Sequence, residues 1–478
     1  MRPRLVLIAT AVLFAGCTVG PRYTRPPAPS APAYREPPPA SFSETPGWRQ
    51  AQPADTTLRA DWWKLFASPD LDGLESEVDV SNQNLKAAEA RFRAARALIQ
   101  VNRSYLYPTI STAPLVNSNR TSGHSPTGGP SGDYGNYALP FDINYELDAW
   151  GRVRRSIAAA REETQASDAD LETLRLSLHA ELAMDYFELR SLDAEKHLLD
   201  ETMVAYQKAL DLTRNRFEGG LSSRAEVAQA RTQLETTRAQ DIGLGVERAN
   251  FEHAIAVLVG RTPESLTMPE SPWHGEPPVI PAGIPSQLLE RRSDIAAAER
   301  RTAEANEQVG IANAAFFPKL LITAAGGVIG SNPINWITWP SRFWAVGPVV
   351  TQTLFDAGRR HAESESALAS YDEAVANYRQ SVLQAFQQVE DNLATLRILE
   401  EQAKAQQVAV EAARESLALS MNRYKGGLVT YLEVVTAQST ALQNEFNQVD
   451  ILRRRMDASV LLIKALGGGW DTSKLPTT

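Results

Sequence analysis

The sequence predicts a mainly α-helical chain with a small β part, assembled from two internal structural repeats. Three observations carry this expectation. Two stretches, Arg152–Glu218 and Arg359–Lys425, each run 67 residues without a glycine or proline. Each ends in paired glycines and a leucine, Gly219-Gly220-Leu221 and Gly426-Gly427-Leu428, and each follows short segments rich in Tyr, Thr, Ile and Val. Ala, Glu, Gln, Arg and Leu crowd the middle of the chain, which is the composition of long packed helices.

At 478 residues, with a net charge of −9 and a pI near 5.4, the chain is too acidic to favour nucleic acid, which needs a basic face. Its six histidines are scattered without ligand spacing, no Gly-rich phosphate loop is visible, and no cofactor or metal is implied. The only cysteine, Cys17, excludes a disulfide framework. Residues 1–16 read as a secretory signal peptide: Arg2 and Arg4, an apolar run from Leu5 to Phe14, then Ala15-Gly16. Cys17 directly after this small pair resembles the lipidation site of bacterial lipoproteins, although Phe14 stands where leucine is usual. Export with lipid attachment at Cys17 is the expectation. No later stretch approaches the ~20 apolar residues of a spanning helix.

Residues 17–60 are proline-rich and irregular, and read as an extended tether. A first repeat then occupies 61–261. Trp62, Trp63 and Phe66 are expected as core anchors ahead of a helix from about Asp70 to Tyr105, with a break near Ser81-Asn82. Alternation at period two predicts strands over 107–122 and 134–149, separated by a Ser/Gly/Pro/Asn loop. The long helix 152–218 follows, about 100 Å if unbroken, and after the Gly219-Gly220 turn a return helix over about Ser222–Val259. A proline-rich connector, 262–285, leads to a second repeat, 286–469. This repeat has strands at about 318–330 and 342–355, a long helix 359–425, the Gly426-Gly427 turn and a last helix ending near Leu466. Residues 470–478 form a short tail.

About four strands cannot close a barrel, because membrane barrels begin at about eight. An open edge in lipid would leave backbone groups unsatisfied. Strands that enter an outer membrane must therefore close with copies from other chains, and three chains supply about twelve. Ala-rich helices of this length bury surface laterally, and a ring of them is a water-filled tube. A purely structural coiled coil would not need the strands, and a periplasmic enzyme would need a converging nucleophile–base set or metal cluster, which is not visible.

The motifs resemble those of TolC-like outer membrane factors, in particular the outer membrane lipoproteins of RND (resistance–nodulation–division) efflux systems, the NodT type. They are Cys17-Thr18-Val19-Gly20-Pro21-Arg22-Tyr23, Asp61-Trp62-Trp63-Lys64-Leu65-Phe66, the run Ile280–Ile295, Ala315-Phe316-Phe317-Pro318-Lys319-Leu320, Leu354-Phe355-Asp356-Ala357-Gly358-Arg359 and the two hairpin motifs. Ser293 replaces a proline usual in Arg-Arg-Pro-Asp-Ile. The resemblance implies a homotrimer with an outer-membrane β-barrel continuous with a long periplasmic α-helical barrel, and that the lipid contacted through Cys17 is outer membrane lipid. It also implies a periplasmic adaptor and an inner-membrane RND transporter as partners, and efflux of small molecules rather than enzymatic activity. A type I protein secretion conduit shares this architecture, but its members usually lack the lipidation motif and the Trp-Trp segment.

The resemblance places the periplasmic aperture and the adaptor-docking surface on the two hairpins. Carried onto this sequence it selects Arg216, Gly219, Gly220, Leu221, Arg224, Glu226, Arg423, Tyr424, Gly426, Gly427, Leu428 and Glu433. Glu226 and Tyr424 occupy the family's acidic and tyrosine gate positions. Two other gate positions fall on Val429 and Thr436, which carry no charge. A glutamate in the first turn of a helix also interacts favourably with the helix dipole, and for Glu226 and Glu433 both readings can hold.

Overall fold

The computed structural model describes residues 18–29, 31–37, 39, 61–124, 131–271, 275–280, 288–470, 473 and 475–476. The signal peptide, Cys17, residues 40–60 and the whole segment 281–287 joining connector and second half lie outside the described residues. Helices α1 (Pro69–Ser81) and α2 (Gln83–Ser104) lead to strands β1 (Thr109–Thr112), β2 (Leu115–Thr121) and β3 (Gly132–Leu147). Then come α3 (Arg152–Glu218) and α4 (Arg224–Leu258). A single turn, Leu288–Arg291, precedes α5 (Ser293–Ala314), β4 (Lys319–Gly330), β5 (Arg342–Thr351), α6 (Arg359–Lys425) and α7 (Tyr431–Ala465).

The break between α1 and α2 has a specific cause. Asn82 leaves helical geometry, and its Oδ1 accepts from Leu85 N at 3.0 Å, capping α2. Its Nδ2 donates to Leu258 O at 2.8 Å, so the same side chain closes the end of α4. The expected strand 107–122 is not continuous. It starts at Thr109 and is interrupted at Ala113-Pro114, giving five strands instead of four among the described residues. Proline has no N–H to donate to the ladder. Both pieces still pair antiparallel with β3, β1 with Phe141–Asn144 and β2 with Gly132–Ala138.

Sheet order is β1-β3-β4-β5, all antiparallel, with β2 beside the other half of β3. The register sorts the two faces. Phe141, Ile143, Tyr145 and Leu147 pair with Gly326, Ala324, Ile322 and Leu320, which pair in turn with Trp344, Val346, Pro348 and Val350. Successive side chains alternate across a sheet, so the other face carries Asp142, Asn144, Glu146 and Thr323 together with Ala325, Ala345, Leu321 and Val349. One face is therefore apolar and the other mixed.

Helix α3 is the spine and packs against α2, α4, α5 and α7. The larger apolar cluster sits midway along it. There Trp62, Trp63 and Phe66 are buried against Phe187, the stacked ring of His179, and Leu182 and Leu189. Each such aromatic contributes about 2–3 kcal/mol by leaving water. The proline-rich N-terminal segment, expected as a tether, is docked where it is described. Val19 N donates to Trp150 O, and the buried Arg155 donates to Val19 O at 2.7 Å and Pro21 O at 3.0 Å. Tyr23 donates to Glu299, Arg35 and Glu36 amides donate to the Glu390 carboxylate, and Glu36 pairs with Arg397 at 2.9 Å. Backbone groups without secondary structure have found side-chain partners along α3, α5 and α6.

Candidate functional site at the hairpin turns

Both long helices end in the same backbone device. At the first turn Gly220 has φ +74, its N–H donates to Phe217 O at 2.9 Å, and Leu221 N donates to Arg216 O at 2.7 Å. At the second, Gly427 has φ +75, and the matching bonds are Gly427 N to Tyr424 O at 3.0 Å and Leu428 N to Arg423 O at 2.9 Å. This pair of bonds is the Schellman motif, which needs a left-handed residue that only glycine supplies without strain. Gly219 and Gly426, one residue earlier, keep right-handed geometry. The tip leucines Leu221 and Leu428 stand 73% and 76% exposed.

The return helices start differently. The hydroxyl of Ser223 accepts from Glu226 N and caps α4, while Ser222 Oγ donates to the Glu226 carboxylate in a very short bond. Thr430 makes no such cap on α7. There Arg423 reaches across its own turn to Glu433 at 2.7 Å. Arg423 and Glu433 are thus paired within the second hairpin, whereas Glu226, held by Ser222 of its own hairpin, also approaches Tyr424 of the other.

Tyr424 is the centre of the site. It is buried, and its hydroxyl donates to Thr213 Oγ1 at 3.3 Å and lies 3.4 Å from Glu226 Oε2. Arg216 stacks its guanidinium 4.8 Å from the Tyr424 ring centre and donates to Lys425 O at 3.1 Å. The Tyr431 ring meets Tyr424 edge-on at 5.3 Å. Around this pair lie Tyr206, Leu210, Ala230, Leu234 and Val434, a second apolar cluster separate from the central one. Burial pushes the Tyr431 phenol up to about 12, so it stays neutral at physiological pH. The two hairpins of one chain are therefore locked together by an aromatic core with a polar bridge at its end.

Of the residues selected in the sequence, Arg216, Glu226 and Tyr424 converge, Arg423 and Glu433 form a pair of their own, and Arg224 is exposed. Val429 packs against the apolar cluster and the Thr436 hydroxyl donates to Leu432 O, so neither extends the polar bridge. Thr213, Tyr206 and Tyr431 were not selected. Thr213 and Tyr206 lie inside the unbroken α3 pattern, where nothing marks them. Among the described residues no group of His, Cys, Asp and Glu is placed to hold a metal ion, and no helix is long and apolar enough to cross a membrane.

Comparison with known proteins gives the site its context. The chain is 31% identical over 480 residues to the toluene efflux pump outer membrane protein TtgF of Pseudomonas putida, covering 100% of this chain and 99% of that one. It is 31% identical over 470 residues to the outer membrane protein OprJ of Pseudomonas aeruginosa, covering 97% and 95%. The solved structure of the outer-membrane channel OprN superposes with a TM-score of 0.85 at 29% identity, covering 95% of this chain and 100% of that one. The family model described as outer membrane efflux protein matches residues 74–261 and 284–468. The chain belongs to the outer membrane efflux protein family.

Proposed function

We propose that the chain is the outer-membrane channel of a tripartite, RND-type efflux pump, through which drugs or other toxic small molecules leave the cell. The observation that carries this reading is the two-faced sheet set on helices of 67 residues. The apolar face from Phe141 to Val350 suits lipid, and the face with Asp142, Asn144 and Glu146 suits a water-filled lumen. Among the described residues, strand β5 on one side and β1 and β2 on the other end in unpaired edges. Lipid tolerates no open edge, so the sheet closes with copies of itself in a homotrimer. The helices supply the matching lateral surface: Leu383, Ile398, Val408 and Leu419 on α6, and Ile242 and Val246 on α4, are exposed in one chain. Such stripes call for a neighbouring helix rather than water.

In this reading the halves 61–261 and 286–469 are repeats joined by the connector 262–285. The α-helical barrel crosses the periplasm, and the hairpins form its far end. Leu221 and Leu428 at the tips, with Arg224 beside them, meet the periplasmic adaptor, which links the channel to the inner-membrane transporter. Tyr424, Glu226 and Arg216 hold the closed state. Residues 1–16 are removed and Cys17 is acylated, anchoring the docked N-terminal segment in outer membrane lipid. The protein conducts and performs no chemistry.

Electron micrographs of the detergent-extracted protein, together with single-channel recording in planar bilayers, test the reading. A three-fold tube with ion conductance is expected. A monomer, a filament or a non-conducting particle in every condition rejects it. For Cys17, incorporation of labelled palmitate that is lost in Cys17→Ser is expected, and retention in that variant rejects the anchor.

A further inference from the structure

The loop between β4 and β5 departs from what a water-exposed loop needs. Ile334, Ile337 and Trp339 are 84%, 68% and 76% exposed. The loop nevertheless has a held shape. Asn332 Oδ1 accepts from Ile334 N at 2.9 Å, and Asn335 O accepts from the hydroxyls of Thr338 at 2.8 Å and Ser341 at 3.0 Å. Trp336 turns inward to the Tyr137 ring, 6.2 Å away, and pins the loop to the sheet. Three large apolar groups are thus presented outward on a shaped scaffold.

At the foot of the loop stands Arg342, whose guanidinium lies 3.9 Å from the Trp339 ring centre. No carboxylate pairs with it among the described residues. By the alternation along β5 it tops the same outward file as Trp344, Val346, Pro348 and Val350. From Val350 to Arg342 is about 27 Å along the strand, or roughly 21 Å of height at the ~40° tilt of barrel strands, close to the ~25 Å apolar band of such barrels. Arg342 therefore stands at headgroup level, with an apolar file below it and an apolar loop beside it.

We propose that residues 331–341 lie on the outer leaflet and that Arg342, backed by Trp339, binds the phosphate of a phosphorylated outer-leaflet glycolipid. This rests on the reading that the sheet spans the outer membrane. Continuity selects the occupant: Ile334, Ile337 and Trp339 extend the lipid-facing file past Arg342, the one charged residue of 331–342, while the side chains of Asn332, Thr338 and Ser341 spend hydrogen bonds within the loop. A cation on an aromatic face at a lipid boundary matches an anionic headgroup above acyl chains.

The test uses the full protein in nanodiscs with brominated acyl chains. A nitrobenzoxadiazole probe is attached in turn to Ile334→Cys, Val350→Cys and Val408→Cys, with the unsubstituted protein labelled in parallel as background. Quenching is expected at 350 and 334 and absent at 408. Quenching at 350 without quenching at 334 overturns the loop proposal and leaves the membrane reading standing. No quenching at 350 removes the membrane reading itself. A blue-shifted but unquenched probe at 334 means that a second copy of the chain covers the loop, and also overturns the proposal. In detergent, Arg342→Ala is expected to retain lipid A about five-fold less well than the unsubstituted protein, with no difference for fully dephosphorylated lipid A. Equal retention of the phosphorylated form rejects phosphate recognition.

Discussion

Tyr424 touches three helices through one ring and one hydroxyl, so substitutions there separate two effects. Removing only the hydroxyl in Tyr424→Phe loses bonds at 3.3 and 3.4 Å to Thr213 and Glu226 and leaves the packing against Tyr431 intact. We expect little change in stability, about 1 kcal/mol, but more frequent opening when it is combined with Glu226→Ala. Planar-bilayer recording checks this, and conductance that stays at the closed level rejects the gate role. A second residue-scale prediction concerns His179, held between Glu75 at 2.6 Å and Asp79 at 3.4 Å beneath Trp63. Burial lowers its pKa, but the hydrogen bonds to Asp79 and Glu75 and their charges outweigh burial and hold it up at about 9. Burial likewise raises Glu75, to about 7, against the pull of His179. Arg175 and Asp72 are the other charges facing the pair. A raised folded pKa stabilises fully below the unfolded value and loses that contribution as pH rises through the folded one. The His179 contribution is therefore complete below its ordinary value of 6.5 and fades towards about 9. Thermal unfolding of the native protein and His179→Gln checks it: the native advantage, of order 2 kcal/mol, should be larger at about pH 6 than at about pH 10.

At the scale of elements, turn glycines with the same backbone sign carry different burdens. At Gly220, φ is +74 and an added Cβ meets nothing within 4 Å, so Gly220→Ala pays only backbone strain, about 1–2 kcal/mol. At Gly260, φ is +73 and the Cβ would lie 2.4 Å from Ser81 O, where α4 ends against the α1–α2 break. Gly260→Ala should be the more destabilising by at least about 1 kcal/mol, measured by denaturant or thermal unfolding, and equal effects would contradict this packing. The long helices were readable because a continuous period without glycine or proline leaves no competing structure. The first strand was harder to place. Pro114 removes one ladder donor, yet β3 is long enough to hold both pieces, and only the pairing partner reveals that.

At the scale of the whole molecule, the N-terminal segment is part of the fold where it is described. Arg155 joins Val19 O, Pro21 O and Glu307, the last at 2.8 Å, and is itself 6% exposed. Arg155→Leu keeps the bulk but removes the donors. Trypsin should then cleave after Arg22 about ten-fold faster or more, since charge-assisted bonds of about 1.5–3 kcal/mol each are lost. Unchanged cleavage would show that Tyr23–Glu299 and the Glu390 contacts hold the segment alone. The glycine turns were legible because the hairpin motif recurs, and Glu226 and Tyr424 were singled out only by the family resemblance. Their meeting in one chain was not, since residues 216 and 424 share no local pattern and are brought together only when α3 and α6 end at the same level.

The sequence by itself determined the periodic parts: the paired 67-residue helices, the helix stops at Gly220 and Gly427, the apolar–polar alternation of the strands, and the signal-like pattern of the N-terminus. These follow from steric and hydrophobic rules that act within a few residues. Tertiary structure decided the rest: the splitting of the first strand, the docking of the proline-rich segment, the His179–Glu75 pair, and the joining of Tyr424 to Glu226 and Arg216. In each case a polar or irregular group needed a partner from far along the chain. Only the packed fold specifies which partner is within reach.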